Sequence, residues 1–488
     1  MLLYIIMLSQ VGFPKELQNE IDYSIPASVN SYAVKVVPSN LSSVVSTSQV
    51  LTASSTLNLQ GTNTNVIFDI PAGQGKSQFI DPRFTTLNFR VNYEIIAGAS
   101  AAVITSACLR SSAMAHFDRA YIQSQSGVLL DDVNLVGVVA DQMNGLEIDV
   151  AQRDALAYLY GFQYEAGAAT SQNNTQGHRL NGIDATTLSA AAVDYRSYCM
   201  PLMNSLIGKG ASKFFQIGAT NKLQLVLQTA AVLPLTIITG SATTAATMRV
   251  TIDNISLNLQ YVDIGAEGVK MLNKTGLQYY NGHTYRASTS TLPATTAGAV
   301  SLLTGIRGSS VRSIFTRCCE AATTSTAGCV NYLYDSKLPL ASSISYNVNG
   351  VIVPPNPVDL IRAPATAFGF TQESNGSFNT YEFKSGLTPD RYSVNVPGGS
   401  LPADADENLV LAGTASSAYN QSQFSFGYNM EKVSKFGIMD GANLNSGNTF
   451  LNLVLANSST NILTFIFIAK MDIIYILDTA TGDIQVRM

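Results

Sequence analysis

Alternation of apolar and polar residues with a period of two dominates this chain. In TLNFRVNYEI, Leu87, Phe89, Val91, Tyr93 and Ile95 fall on one face, and Asn88, Arg90, Asn92 and Glu94 on the other. That is the pattern of a half-buried strand. KLQLVLQ repeats it with Leu223, Leu225 and Leu227. In MRVTIDNISLNLQYV, Met248, Val250 and Ile252 alternate, and then Ile255, Leu257, Leu259 and Tyr261 alternate in the opposite phase. A one-residue change of phase inside a continuous strand predicts a β-bulge near Asp253-Asn254. SISYNVNGVIVPP sets two short apolar runs around Asn349-Gly350, a dipeptide that tolerates positive φ at both positions and predicts a tight hairpin. Pro354, Pro355 and Pro357 are expected to end its second strand. NILTFIFIAKMDIIYILDTATGDIQVRM predicts two long strands or three short ones, with the last turn near Gly482.

Helical periodicity is scarce. NGLEIDVAQRDALAYLYG (144–161) carries Leu146, Val150, Leu156 and Leu159 near helical spacing, with Gly161 as a stop. FPKELQNEI (13–21) reads as a short polar helix. Residues 165–192 and 286–300 are poor in bulky apolar side chains and read as long surface loops. Many strands, few helices and long loops give an all-β class built from β-sandwiches. A jelly roll sets eight strands on two sheets and occupies roughly 150–250 residues with its loops, so 488 residues hold two. The expected division is an N-terminal arm (1–45), a first jelly roll (46–265), a linker (266–285) and a second jelly roll (286–488). No sequence repeat links the halves; the duplication is inferred from strand style and length.

Composition changes the picture in one respect. Charged residues make up 12% of the chain, against roughly 25% in an ordinary soluble domain. A polar but nearly uncharged surface suits packing against other copies, because burying a neutral rim costs less than burying charge. The net charge of −5 comes with no basic arm, which argues against wrapping or sequence-specific reading of nucleic acid. Five cysteines (Cys108, Cys199, Cys318, Cys319, Cys329), odd in number and scattered, predict free thiols and a reducing compartment. The apolar start MLLYIIML is too short to span a bilayer, which takes roughly 20 residues, and it lacks the basic region of a signal peptide. Met7 offers a second possible translation start.

Candidate chemistry fails on spacing. Gly75-Lys76-Ser77 matches the end of a phosphate-binding loop, but the first glycine of that motif would be Ile70, and a strand rather than a helix follows. The stretch PAGQGKSQFIDP (71–82) therefore reads as a turn with Lys76 as a solvated tip. Asp404, Asp406 and Asn408 have the spacing of the first ligands of a calcium loop, yet Leu409 and Ala415 replace its essential glycine and glutamate. Asp131, Asp132 and Asp141 show no ligand spacing. His116, His178 and His283 are too far apart in sequence for a zinc pattern, and no Gly-x-Ser-x-Gly elbow occurs. No catalytic, cofactor-binding or metal-ligating residue is assigned, no cofactor is expected, and the 22 tyrosines and 20 phenylalanines are read as core and interface anchors.

Three stretches resemble the major capsid proteins of the double jelly-roll lineage shared by tectiviruses, adenoviruses, virophages and Polinton-like viruses. IFDIPAGQGKSQFIDPRFTTLNFRV (67–91) is similar to the strand, turn, F-x-D-P and strand near the start of the first roll. YCMPLMNSLIGKGASKFFQI (198–217) is similar to its Pro-Leu segment. SSVRSIFTRCC (309–319), with LPLASSISYNVNGVIVPPNPV (338–358), resembles the early part of the second roll. These patterns cover about a third of the chain. The resemblance implies a non-enzymatic virion protein, assembled inside the host cell, whose homotrimers form pseudo-hexagonal capsomers that tile an icosahedral shell. It implies neighbouring capsomers, a vertex (penton) protein and minor capsid proteins as partners, with an internal membrane as a further candidate. The N-terminal residues would face inward. The alternatives are a single jelly-roll capsid protein with a projecting domain, or a secreted β-sandwich that binds or cleaves polysaccharide.

Overall fold

The computed structural model describes residues 30–40, 44–51, 64–72, 75–97, 106–109, 112–161, 193–230, 235–238, 246–272, 276–320, 327–329, 332–334, 336–375, 387, 392, 424–431, 440–445, 447–456 and 461–488. The N-terminal apolar and helical stretches, the 165–192 loop with His178, and Asp404–Asn408 lie outside these residues.

The strands of the first half are β1 (Asn30–Val36), β2 (Val44–Leu51), β3 (Asn65–Ile70), β4 (Gln78–Ala97), β5 (Ser106–Leu109), β6 (Phe117–Ser124), β7 (Leu129–Asn134), β8 (Val193–Pro201), β9 (Leu223–Thr229), β10 (Leu235–Ile238) and β11 (Ala246–Asp263). Helices α1 (Val136–Glu147) and α2 (Val150–Tyr160) fall between β7 and β8, and α3 (Gly265–Leu272) follows β11. The second half holds β12 (Leu277–Leu292), β13 (Gly298–Leu303), β14 (Val311–Glu320), β15 (Ala327–Cys329), β16 (Ala341–Val348), β17 (Val351–Val358), helix α4 (Pro364–Ser374), β18 (Phe426–Asn429), β19 (Thr449–Leu455), β20 (Leu463–Asp478) and β21 (Ile484–Arg487).

Four large antiparallel sheets form two pairs. In the first half β1-β11-β4-β8 faces β3-β9-β6-β7; in the second β12-β20-β14-β18 faces β13-β19-β16-β17. Counting the eight strands of each half in chain order, both halves give 1-8-3-6 in one sheet and 2-7-4-5 in the other. This is the jelly-roll order twice over, so the duplication that no sequence repeat reveals is explicit in the pairing. β2 adds to β11, β21 adds to β20, and a small sheet β15-β10-β5 joins the halves.

The alternation places the core as expected. Leu87, Phe89 and Val91 on β4, Leu223, Leu225 and Leu227 on β9, and Ile255, Leu257, Leu259 and Tyr261 on β11 are all buried. The bulge falls at Asp253–Ser256, where the register against β4 shifts and Asn254 takes φ 51°. The hairpin closes through Asn349 (φ 52°) and Gly350 (φ 89°), with Val348 opposite Val351. The last turn contains Gly482, and the final segment resolves into one strand of 16 residues and one of 4.

Several expectations are corrected. The prolines after Val353 do not stop β17, which runs on to Val358. It is the edge strand of its sheet, where missing donors cost no ladder bond. β4 begins at Gln78 and passes Pro82 because residues 82–85 bulge away between the pairs Asp81–Gln260 and Thr86–Asn258. The loop expected over 286–300 is mostly strand: β12 runs unbroken to Leu292 and β13 starts at Gly298. Its Ser and Thr residues line a partly exposed sheet face, where β-branched and small polar side chains fit. The helix expected over 144–161 is two. Asp149 interrupts it as an N-cap that accepts from the Gln152 amide at 2.7 Å, while Gly161 ends α2 at φ 70°. α1 is buried from Val136 to Leu146 and so lacks the polar stripe by which sequence reveals a helix.

Candidate functional site

The most organised cluster of polar side chains lies at the seam between the two rolls. Four carboxylates on β7 and α1 reach this seam, and each meets a donor from the second roll. Thr284 Oγ1 donates to Asp131 Oδ1 at 2.6 Å. Arg286 Nη1 donates to the Asp132 carbonyl at 2.8 Å and lies 3.6 Å from its carboxylate. Arg317 Nη1 donates to Asp141 Oδ2 at 2.8 Å. Lys470 Nζ donates to Glu147 Oε1 at 3.1 Å. The first roll supplies the remaining partners. Asn204 and the Ser205 amide bind Asp131, Arg119 grips Asp132 with both nitrogens of its fork, and Lys209 Nζ sits 2.6 Å from Glu147.

The electrostatics follow from this pairing. Burial would push the Glu147 carboxyl up, but the ammoniums of Lys470 and Lys209 outweigh it and hold the group at about 2. Burial pushes the Tyr285 phenol well up, and the Glu147 carboxylate beside it pushes the same way. Burial alone would lower the Arg317 guanidinium, yet the Asp141 carboxylate more than compensates and raises it. Arg317 is 1% exposed. Its head lines a small cleft with Asp141, Gln142, Gly145, Leu146 and Leu387.

Two backbone approaches complete the seam. His283 N donates to Gly210 O at 2.9 Å, and a Cβ at Gly210 would sit 2.1 Å from the His283 carbonyl oxygen. Gly210 lies in the Pro-Leu segment singled out in the sequence, which runs along the second roll at this point. At the other end, Lys76 Nζ donates to the Thr479 carbonyl at 2.9 Å, while Gln216 Nε2 donates to Lys76 O at 2.8 Å. Lys76 is exposed in a turn, as expected, and its ammonium also ties the two rolls together. Its ammonium is engaged by backbone, and β4 follows directly, so nothing around it resembles a phosphate cradle.

The remaining sequence candidates are dispersed. His116 is fully buried; burial pulls its imidazole down to about 4 against the opposing bond to the Ala113 carbonyl, so the ring packs neutral between Phe89 and Tyr198. Cys199, Cys318 and Cys319 are free thiols, and burial pushes the Cys318 thiol well up. Among the described residues no group of three His, Cys, Asp or Glu side chains is placed to hold a metal ion. No described helix is long and apolar enough to cross a membrane. Large aromatics such as Tyr261, Tyr346, Tyr475, Phe68, Phe215 and Phe315 fill the cores. Sequence reasoning missed the seam carboxylates. The available signal was LLDDVNLVGVVADQM: three acids inside an apolar run, in a chain with few charges, must find partners.

Both sheet pairs, with the same strand order, align with solved structures along nearly their whole length. The Sputnik virophage structure matches at TM-score 0.57 and 11% identity, over 98% of this chain and 92% of that one. The chain in the PBCV-1 virus capsid matches at TM-score 0.51 and 10% identity, over 96% and 98%.

This chain has the double jelly-roll fold.

The mavirus major capsid protein also aligns, at TM-score 0.47 and 13% identity, over 98% and 96%. No protein-family model matches the chain, and no curated protein matches it in sequence. The double jelly roll is thus evident in three dimensions while sequence likeness is low. Within it the four seam carboxylates are hydrogen-bonded in place, three of them by cations, and tie one roll to the other.

Proposed function

We propose that this chain is a viral major capsid protein, resident in the virion, that acts by assembly rather than by catalysis. The observation that carries the reading is the alignment of both rolls, over 96% of the chain, with the chain of the PBCV-1 virus capsid. The nearly uncharged surface and the rigid seam support it. A shell tile needs two sandwiches held in one orientation and a surface that can be buried against copies of itself. In this proposal three copies form a six-roll capsomer, capsomers tile an icosahedral shell, and a vertex protein, minor capsid proteins and an internal membrane are the further partners. The expected division (arm 1–45, first roll 46–265, linker 266–285, second roll 286–488) belongs to the same proposal, with its bounds moved so that β1 (Asn30–Val36) joins the first roll and β12 (Leu277–Leu292) opens the second.

Light scattering on the purified chain tests this. A species at three times 52.0 kDa, forming hexagonal tiles or shells in negative stain, is the expected result. A monomer at all concentrations that binds glycan columns would overturn it.

A further inference from the structure

One arrangement in the seam does more than balance charge. Lys209 Nζ lies 2.6 Å from Glu147 Oε2 and donates to Asn144 Oδ1 at 3.3 Å, so an amine, a carboxylate and a carboxamide meet at one point. Asn144 and Glu147 are three positions apart on α1 and share a face of that helix. Lys209 comes from the turn after β8, where its amide donates to the Leu202 carbonyl at 2.8 Å. Both sides of the contact are thus fixed by backbone. Asn144 is 3% exposed, and the Lys209 and Glu147 side chains are 28% and 17% exposed, so little water reaches the carboxamide. Lys470 Nζ approaches the other oxygen of Glu147 at 3.1 Å. Two ammoniums around one carboxylate leave one positive charge in excess. Release of one proton from Lys209 leaves a neutral amine beside a balanced Glu147–Lys470 pair, the arrangement that makes a lysine nucleophilic.

We propose that Lys209 and Asn144 join in an isopeptide bond that the folded chain forms on itself. The neutral Lys209 Nζ attacks the side-chain carbonyl carbon of Asn144, one bond beyond the oxygen it already touches. A C–N bond forms and the carbonyl π electrons move to Oδ1. Glu147 takes a proton from the attacking nitrogen and passes it to Nδ2. The carbonyl re-forms, the bond from that carbon to Nδ2 breaks, and one ammonia leaves. No oxidant, reductant or cofactor is consumed; the fold supplies the orientation that a separate catalyst would otherwise provide. Asn144 could instead cyclise on the amide of the next residue, Gly145, but Gly145 lies inside α1, where its nitrogen is committed to the helical ladder. The isopeptide bond clamps α1, which carries Asp141 and Glu147 to the second roll, onto a turn 65 positions further along the chain. This inference is independent of the assembly reading.

The test holds the full-length chain folded at mildly alkaline pH, then denatures it and reads it by intact and peptide mass spectrometry. The expected result is a chain lighter by one ammonia, a branched peptide joining Lys209 to Asn144, and no tryptic cleavage after Lys209. The same chain held unfolded in urea should give no branched peptide. Two variants, each checked for an unchanged circular dichroism spectrum, separate the roles. Lys209→Arg keeps the positive charge facing Glu147, but its guanidinium stays protonated and is no nucleophile. Glu147→Gln keeps the shape and removes the proton carrier. Neither should yield the branched peptide. A folded, unaltered chain that keeps its full mass would overturn the inference. So would ammonia loss without the branched peptide, the mark of a succinimide at an Asn-Gly pair, or linkage that proceeds in Glu147→Gln at the unaltered rate.

Discussion

Replacing Glu147 by glutamine keeps the shape of the side chain and removes the charge that faces Lys209 and Lys470. The folded carboxyl titrates at about 2 against an ordinary value of 4.5. At ~1.36 kcal/mol per pH unit that gap is worth about 3 kcal/mol of stability at neutral pH. The folded state binds this proton more weakly than the unfolded state. The contribution is therefore complete above pH 4.5 and drains away as the pH falls toward 2, with about 2 kcal/mol left at pH 3.5. Glu147→Gln should cost about 3 kcal/mol at pH 7, in line with the loss expected when one partner of a buried ion pair is removed. The gap between variant and parent should narrow by about 1 kcal/mol at pH 3.5. Urea unfolding at both pH values, followed by circular dichroism and by tyrosine fluorescence in this tryptophan-free chain, measures both quantities. A cost below about 1 kcal/mol at pH 7, the size of an exposed pair, or a gap of equal size at both pH values would refute the reasoning.

Arg317→Met alone leaves Asp141 buried without its partner and should destabilise by about 3–5 kcal/mol, whereas Arg317→Met with Asp141→Leu should recover most of that loss in a thermal-unfolding cycle. Gly210→Ala should lower the melting temperature and expose the seam to limited proteolysis, because its Cβ would collide with the backbone of His283. Gly369→Ala, inside α4 with open space around it, should stabilise the chain by about 0.5–1 kcal/mol in the same melt. Millimolar ATP with magnesium should leave the melting temperature unchanged, since Lys76 is occupied by the Thr479 carbonyl; a rise of several degrees would return the phosphate reading to the glycine turn.

The sequence was most legible where one local rule settles the outcome. The phase change in β11 located its bulge, and Asn349-Gly350 located its hairpin, because both depend on residues a few positions apart. Rules failed where an element's place in the sheet overrides its composition. β17 keeps its prolines because it is an edge, and β12 keeps its serines and threonines because that face is partly open. α1 hid because it is buried on every side. The seam was out of reach for another reason. Glu147 and Lys470 are 323 positions apart, and only the completed double roll brings them together.

That separation also sets an order of events during synthesis. At about 5–20 residues per second, Glu147 leaves the ribosome roughly 15–65 s before Lys470 exists to meet it. Until the second roll arrives, the first roll holds Asp131 with Asn204 and the Ser205 amide, Asp132 with Arg119 and Glu147 with Lys209, while Asp141 waits for Arg317. The early half of the molecule is therefore a waiting partner, its acidic flank hydrated and its β7 edge open. β12 covers that edge and is itself paired along its length with β20, so the nascent chain becomes safe from pairing with other unfinished chains only when β20 has emerged.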